Sequence, residues 1–216
     1  MSQSAKEKAY EYIRQLVLDN PLSNDINLSE TAIAEAIGVS RTPVREAMSL
    51  LASEGFIEII PNKGPVKMKP DLNNIMMITQ IMEGLEGIAA RVACKRADKS
   101  VLEDLREEFA ALTDLDDPEQ MDKARLCGYR LHDTIVKSTG NPRLIKIVDN
   151  LILQRHMISR LAPLTAEIAK KRYAQHMEIL DAILARDSDL AEGAMRKHVV
   201  DVAIDAANAL YKSYLY

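Results

Sequence analysis

The chain has 216 residues, of which 47% are hydrophobic and only 4% aromatic, with no Trp and a formal net charge of −4. This length allows one large domain or a small plus a medium one, and the hydrophobic content excludes global disorder. The lack of aromatics favours aliphatic helix packing over an aromatic-rich β-sandwich, and the acidic balance means that any nucleic-acid contact must rest on local positive charge.

Ser4-Ala5-Lys6-Glu7 has the form of a capping box, so a helix should begin near Ala5. Ala9, Tyr12, Ile13, Leu16 and Val17 follow at three- and four-residue spacing, and Asn20-Pro21 ends the helix. A polar loop spans residues 22–27. Ser29 is the expected cap of a second helix carrying Ala32, Ile33, Ala36 and Ile37, which Gly38 stops in the left-handed conformation.

A third helix follows at once. Thr42 is the expected cap, Pro43 suits a first helical position, and Val44, Ala47, Met48 and Leu51 form the buried stripe before Gly55. Arg41 and Arg45 then stand four residues apart at the entry of this helix, where phosphates and base edges are met in a major groove.

Phe56-Ile57-Glu58-Ile59-Ile60 is β-rich, Pro61-Asn62-Lys63-Gly64 is turn chemistry, and Val66 and Met68 alternate with Lys67 and Lys69. The order is helix, helix, turn, helix, hairpin, which is a winged helix-turn-helix. Residues 1–70 hold eight Lys or Arg against nine Asp or Glu. The positive groups nevertheless gather at Arg41 and Arg45 and on the hairpin at Lys63, Lys67 and Lys69. So small an excess predicts modest affinity per domain, which a dimer would raise through linked half-site contacts.

Residues 70–74 read as a polar link. Helices are then expected near 74–96, 99–113, 119–138, 141–161, 164–186 and 188–213, an antiparallel bundle. The predicted fold class is mainly α: a winged helix-turn-helix over residues 1–70 and an all-α bundle over 75–216. Tyr129, His132, Ile135 and Val136 share one helix face, and Tyr173, His176, Ile179, Leu180 and Ile183 share another. For any single histidine on an apolar face the plain expectation is a core imidazole bonded to a carbonyl. Three inward histidines on three helices, His132, His176 and His198, point instead to a shared site of the kind that binds zinc or a similar divalent ion.

Cys94 and Cys127 are the only cysteines. This excludes a disulfide framework and fits reduced thiols. No signal-peptide order and no bilayer-length apolar run are seen, so a cytoplasmic protein with no membrane partner is expected.

Leu28-Ser29-Glu30 through Arg41-Thr42-Pro43-Val44-Arg45-Glu46-Ala47, then Glu54-Gly55 and Pro61-Asn62-Lys63-Gly64, resembles the GntR family of bacterial transcription regulators. Leu131-His132, Ser138-Thr139-Gly140-Asn141, Gln175-His176 and Arg196-Lys197-His198 resemble its FadR-like branch, with an FCD ligand-binding domain. The resemblance implies DNA contacts at Arg41, Thr42 and Arg45 and, at the wing tip, Asn62, Lys63 and Gly64. Thr31 stands where some members place a further DNA-contacting arginine. It also implies a divalent metal on His132, His176 and His198, and a small organic or sugar acid as effector.

Arg155 joins the three histidines as a candidate effector-binding residue, while His156 is expected on a solvated helix face. Two departures stand out: Gly128 replaces the family aspartate four residues before His132, and Met82 replaces a frequent arginine. Met76, Met77 and Met82 read as packing material. The expected function is a dimeric, ligand-responsive repressor that binds a double-stranded operator, not an enzyme. A metal-dependent hydrolase built on the three histidines is the alternative, although no HExxH occurs. A helical adaptor with a vestigial DNA module is a third reading.

Overall fold

The computed structural model describes residues 4–20, 26–68 and 71–213. The sequence features at Pro21, in 22–25, at Lys69 and at Pro70 lie outside the described residues.

Helix α1 (Ala5–Asp19) opens on a complete capping box, with the Ser4 hydroxyl accepting from the Glu7 N–H and the Glu7 carboxylate accepting from the Ser4 N–H. It buries Ala9, Ile13, Val17 and Leu18. Helix α2 (Glu30–Ile37) is capped by Ser29 and stopped by Gly38 at φ 68°, a conformation that costs a glycine little. Helix α3 (Arg41–Ser53) buries Val44, Ala47, Met48 and Leu51.

The start of α3 corrects two expectations, since Pro43 stands at the third helical position and not the first. Ser40, not Thr42, occupies the cap position, and its side chain makes no capping hydrogen bond. Thr42 is exposed within the first turn, which leaves its hydroxyl to face solvent.

Strands β1 (Ile57–Ile60) and β2 (Gly64–Lys67) pair antiparallel, with Ile57 opposite Lys67 and Ile60 opposite Gly64. The intervening turn is exposed. It uses positive φ at Asn62 (62°) and Gly64 (88°), residues that tolerate the left-handed region. Alternation predicts an outward Lys67, but its ammonium turns inward to the Asn20 carbonyl. Burial draws that amine down to about 8, because a charged group loses solvation there. The wing therefore presents one fewer outward cation.

The remaining chain forms α4 (Leu72–Arg96), α5 (Lys99–Ala110), α6 (Pro118–Ser138), α7 (Pro142–Leu161), α8 (Ala166–Leu184) and α9 (Ser188–Ser213). Asp71, Asp98, Asp117, Asn141 and Thr165 cap the first five of these with their side chains, which satisfies donors that a helix start leaves open. Helix α8 is shorter by two residues at each end than the expected 164–186, and two other boundaries shift as well. The polar link shortens because Asp71 starts α4 early. Helix α5 stops at Ala110, and the Gln120 side chain accepts from the N–H groups of Thr113 and Asp114 in the loop beyond it.

Helices α4 and α9 lie against each other so closely that a Cβ at Gly87 would stand 2.7 Å from Arg196 Cγ. Leu131, Ile135, Ile179, Leu180 and Met195 are buried among them. Met82 is buried with them, whereas Met76 and Met77 are 61% and 49% exposed, so only the first behaves as packing within this chain.

A second cluster unites α1, α2, α3 and β1, and it also takes Met157 of α7. The same helix donates from Gln154 to the Glu54 carbonyl (2.8 Å) and pairs Arg160 with Asp19 of α1 (2.7 Å). Helix α7 thus touches the winged unit with one set of side chains and the bundle with another. Among the described residues no helix is long and apolar enough to cross a membrane.

Candidate nucleic-acid interface and metal centre

The turn at Gly38 delivers the chain directly into α3, so Arg41 and Arg45 lie one helical turn apart at its start. Their side chains are 61% and 64% exposed. Both reach one carboxylate, Glu30 at the first position of α2. Arg41 donates to Oε2 at 3.1 Å, and Arg45 donates from Nε and Nη2 to the two oxygens at 3.0 and 2.9 Å. The Arg45 hydrogen bonds hold the Glu30 carboxyl below its ordinary range. The guanidinium groups are thus oriented before any partner arrives, yet stay accessible to solvent. Thr31, Thr42, Asn62 and Lys63 are exposed as well, and Gly64 is half-buried.

The bundle brings His132 of α6, His176 of α8 and His198 of α9 together. One ring nitrogen from each lies within 4.8 Å of the others, and all three residues are buried. His132 Nδ1 is 2.5 Å from Glu86 Oε2, and Arg155 Nη1 donates to the other Glu86 oxygen at 3.1 Å. Burial disfavours the Glu86 carboxylate, but His132 and Arg155 outweigh it and hold its pKa down to about 2. His198 Nδ1 meets the Gln175 carbonyl oxygen at 3.0 Å, and the Gln175 amide is in turn fixed by Asp201 (2.6 Å). Glu86 and Gln175 both accept, so the Nδ1 atoms of His132 and His198 carry the donated protons and the Nε2 atoms are left on the other edge of each ring.

His176 Nε2 is buried without any hydrogen-bond partner, a costly arrangement for a polar atom unless something else meets it. Burial, reinforced by neighbouring cations, pushes His176 and His198 well below the usual imidazole range, so both are neutral and able to donate to a metal. Donor chemistry, spacing and the orphaned nitrogen all fit a divalent ion of the zinc type.

The histidines border a cavity of about 70 Å³ whose wall includes Met82, Tyr129, Arg155 and Tyr173. Arg155 lines it as expected. His156 does not lie on a solvated face: it is buried, with its ring stacked 3.9 Å from that of Tyr129. Burial and the adjacent Arg155 charge push it down to about 2. Cys127 stands apart from the cluster, its thiol 3.8 Å from Glu108.

The GntR family of bacterial regulatory proteins matches residues 5–66, and the FCD domain matches residues 77–201. The chain belongs to the GntR family, in its FCD branch. A transcriptional regulator from an unstable DNA locus of Streptomyces ambofaciens is 29% identical over 195 residues, 88% of this chain and 80% of that protein. The transcriptional repressor RspR of Escherichia coli K12 is 22% identical over 202 residues, covering 94% and 89%.

Among solved structures, Escherichia coli McbR/YncC superposes with a TM-score of 0.75 at 19% identity, covering 99% of this chain and all of that one. The zinc-bound FCD domain of TM0439 gives 0.56 at 16% identity, over 66% and 97%. The family consists of transcription regulators, and the hydrolase alternative falls with that assignment.

For this GntR chain the departure at Gly128 acquires a physical meaning. A Cβ there would lie 2.4 Å from His176 Cε1. The imidazole of His176 occupies the room that an aspartate at position 128 would need. Glu86, which orients His132, lies in no motif, and Gln175 stands in one beside His176 but orients His198. Glu86 is nevertheless a lone carboxylate in register with the apolar residues Met82, Ala89, Ala90 and Ala93 of α4, and a charge on a buried stripe is itself a signal that a buried partner exists.

Proposed function

We propose that this regulator is a cytoplasmic, dimeric repressor whose operator affinity is set by a small organic acid held in the bundle. In this reading residues 1–70 contact double-stranded DNA through Arg41, Thr42 and Arg45, with Asn62, Lys63 and Gly64 at the wing tip. Residues 75–216 hold the effector beside a divalent metal on His132, His176 and His198, with Arg155 at the same cavity. The observation that carries the reading is the union, in one chain, of an exposed arginine pair at a helix entry and a buried three-histidine cluster with an unpartnered Nε2. RspR supports the repressor sense, and the TM0439 domain supports zinc.

The second copy is argued from α4. At about 100° per residue, Met77, Ile81, Gly84 and Ile88 fall on one side of the helix, opposite its buried stripe. Met77, Ile81 and Ile88 are 43–49% exposed. Such a row is what an isologous dimer covers.

The test has three arms on the full chain. An operator is selected from a random duplex library and titrated by fluorescence anisotropy at several salt concentrations. Zinc content is measured by elemental analysis, and mass by light scattering. We expect salt-dependent binding, one metal per chain and a dimer mass that Ile81→Asp reduces to a monomer. Salt-independent or absent DNA binding would remove the regulator assignment for these residues.

A further inference from the structure

Two arginines of the bundle keep buried guanidinium nitrogens that meet no hydrogen-bond partner among the described residues. Arg172 of α8 donates from Nη1 to the Ser159 carbonyl at 3.0 Å, while its Nε and Nη2 are buried with no partner. Burial holds this guanidinium below its ordinary value. Arg125 of α6 is tied by Nε to Asp122 on its own helix (3.0 Å), but its Nη1 is likewise buried and unpartnered. Both residues line the histidine cavity, and both also line a wider cleft that opens beside Asp19 of α1. They form the partition between the two spaces, next to the Asp19–Arg160 ion pair that joins α1 to α7.

Nε and Nη2 are the two donors along one edge of a guanidinium. That edge matches both oxygens of a carboxylate or phosphate at once. This same chain shows the match elsewhere, where Arg45 uses Nε and Nη2 on the two oxygens of Glu30. At Arg172 the identical edge is buried against a cavity, and among the described residues no carboxylate meets it. A buried charged donor left unmet is costly, and here two stand on one side chain with a third on Arg125. Tyr129, whose hydroxyl is 2.8 Å from Ser159 Oγ, places its ring 5.3 Å from the Arg125 guanidinium carbon and helps close the site.

We propose that Arg172, with Arg125 beside it, is the anion-binding subsite of the cavity and takes a carboxylate or phosphate group of the effector independently of any metal on the histidines. The subsite rests on the ligand-responsive reading above and adds to it the groups that recognise the acid. It lies on the wall facing α1, so occupancy bears on the contact between the two units.

The experiment uses the full chain after chelation to remove metal. Acetate, succinate, glutarate and inorganic phosphate are titrated by calorimetry into the native protein and into Arg172→Gln, Arg172→Lys and Arg125→Gln. At least one of the four probes should bind the metal-free native protein with one site per chain. Arg172→Gln should weaken that binding roughly tenfold or more, with Arg172→Lys intermediate because it keeps charge but loses the paired edge. The phosphate arm separates a phosphorylated ligand from a carboxylic acid.

Zinc uptake and duplex binding should be unchanged in Arg172→Gln, which shows that the variant is folded. Loss of acid binding with both of these retained is therefore charged to the subsite. Absence of duplex binding by the native protein would instead count against the regulator reading. The subsite is overturned if none of the four probes binds without metal, or if Arg172→Gln and Arg125→Gln both bind the same acid as tightly as the native chain.

Discussion

Glu30 and Glu86 each hold two cationic or hydrogen-bonding partners, but in opposite media. Glu30 joins Arg41 and Arg45 at the protein surface, with 21% of its side chain exposed. Glu86 joins His132 and Arg155 with 1% exposed. At the surface water and salt screen the attraction, so the arginines are aligned yet can exchange a carboxylate for a phosphate at little cost. In the bundle no solvent can replace a lost partner, so the same kind of contact becomes a fixed support. One carboxylate therefore aligns exposed side chains that stay free to change partner, and the other holds buried partners in place.

The largest effect expected from breaking this contrast is at Glu86. Its replacement by Ala leaves Arg155 buried without its carboxylate and His132 without its orienting acceptor. We expect a loss of about 3–5 kcal/mol in chemical unfolding, together with weaker zinc uptake. A loss under about 1 kcal/mol would mean that the buried network is not a support.

Next comes Gly128→Ala, whose Cβ would press on the His176 ring. Overpacking of this kind costs about 1–3 kcal/mol. Denaturant titration checks the size, and an unchanged midpoint would show that the ring moves freely aside.

At the surface, Arg45→Ala should weaken binding to the selected duplex roughly 10- to 100-fold while leaving the melting temperature almost unmoved. Anisotropy and thermal melts on one preparation read both quantities. Unfolding in place of lost affinity would reverse the assignment of roles.

The pH response sharpens the comparison further. His156, His176 and His198 are held below the ordinary imidazole value of 6.5 by burial. Unfolding releases them to bind protons, so their contribution is complete above pH 6.5 and declines as pH falls below it. The slope is about 1.4 kcal/mol per pH unit for each histidine that stays neutral in the fold. Glu86 acts in a lower window, its contribution fading only as pH falls from 4.5 toward 2. Unfolding free energies measured from pH 8 to 5 in chelator should fall with acid. A flat profile across that range would contradict neutral buried imidazoles.

The smallest effect is expected at Glu30→Gln, which should barely change the melting temperature because the pair is exposed. A drop as large as that at Glu86 would erase the distinction between the two carboxylates.

Legibility in the sequence followed the range of the interaction involved. The capping box at Ser4, the Gly38 stop, the wing turn and the three inward histidines were readable because each depends on residues a few positions apart. Lys67 was misjudged because strand alternation places it outward, while its acceptor, the Asn20 carbonyl, lies 47 residues away. His156 was misjudged because its neighbours on α7 are charged, while the ring that covers it belongs to Tyr129 on α6. The open nitrogens of Arg125 and Arg172 have no local signal, because the groups that face a guanidinium across the bundle are set by packing between helices.

By itself the sequence determined where helices begin and stop, the hairpin, the inward histidines and the family. These are set by backbone sterics, caps and hydrophobic periodicity over one or two turns. Only the tertiary structure decided that Glu86 and Gln175 orient two of the histidines, that the His176 ring fills the space at Gly128, and that α7 touches both units. Those outcomes depend on which distant groups share one water-poor space, and there a missing or surplus polar partner changes the energy most.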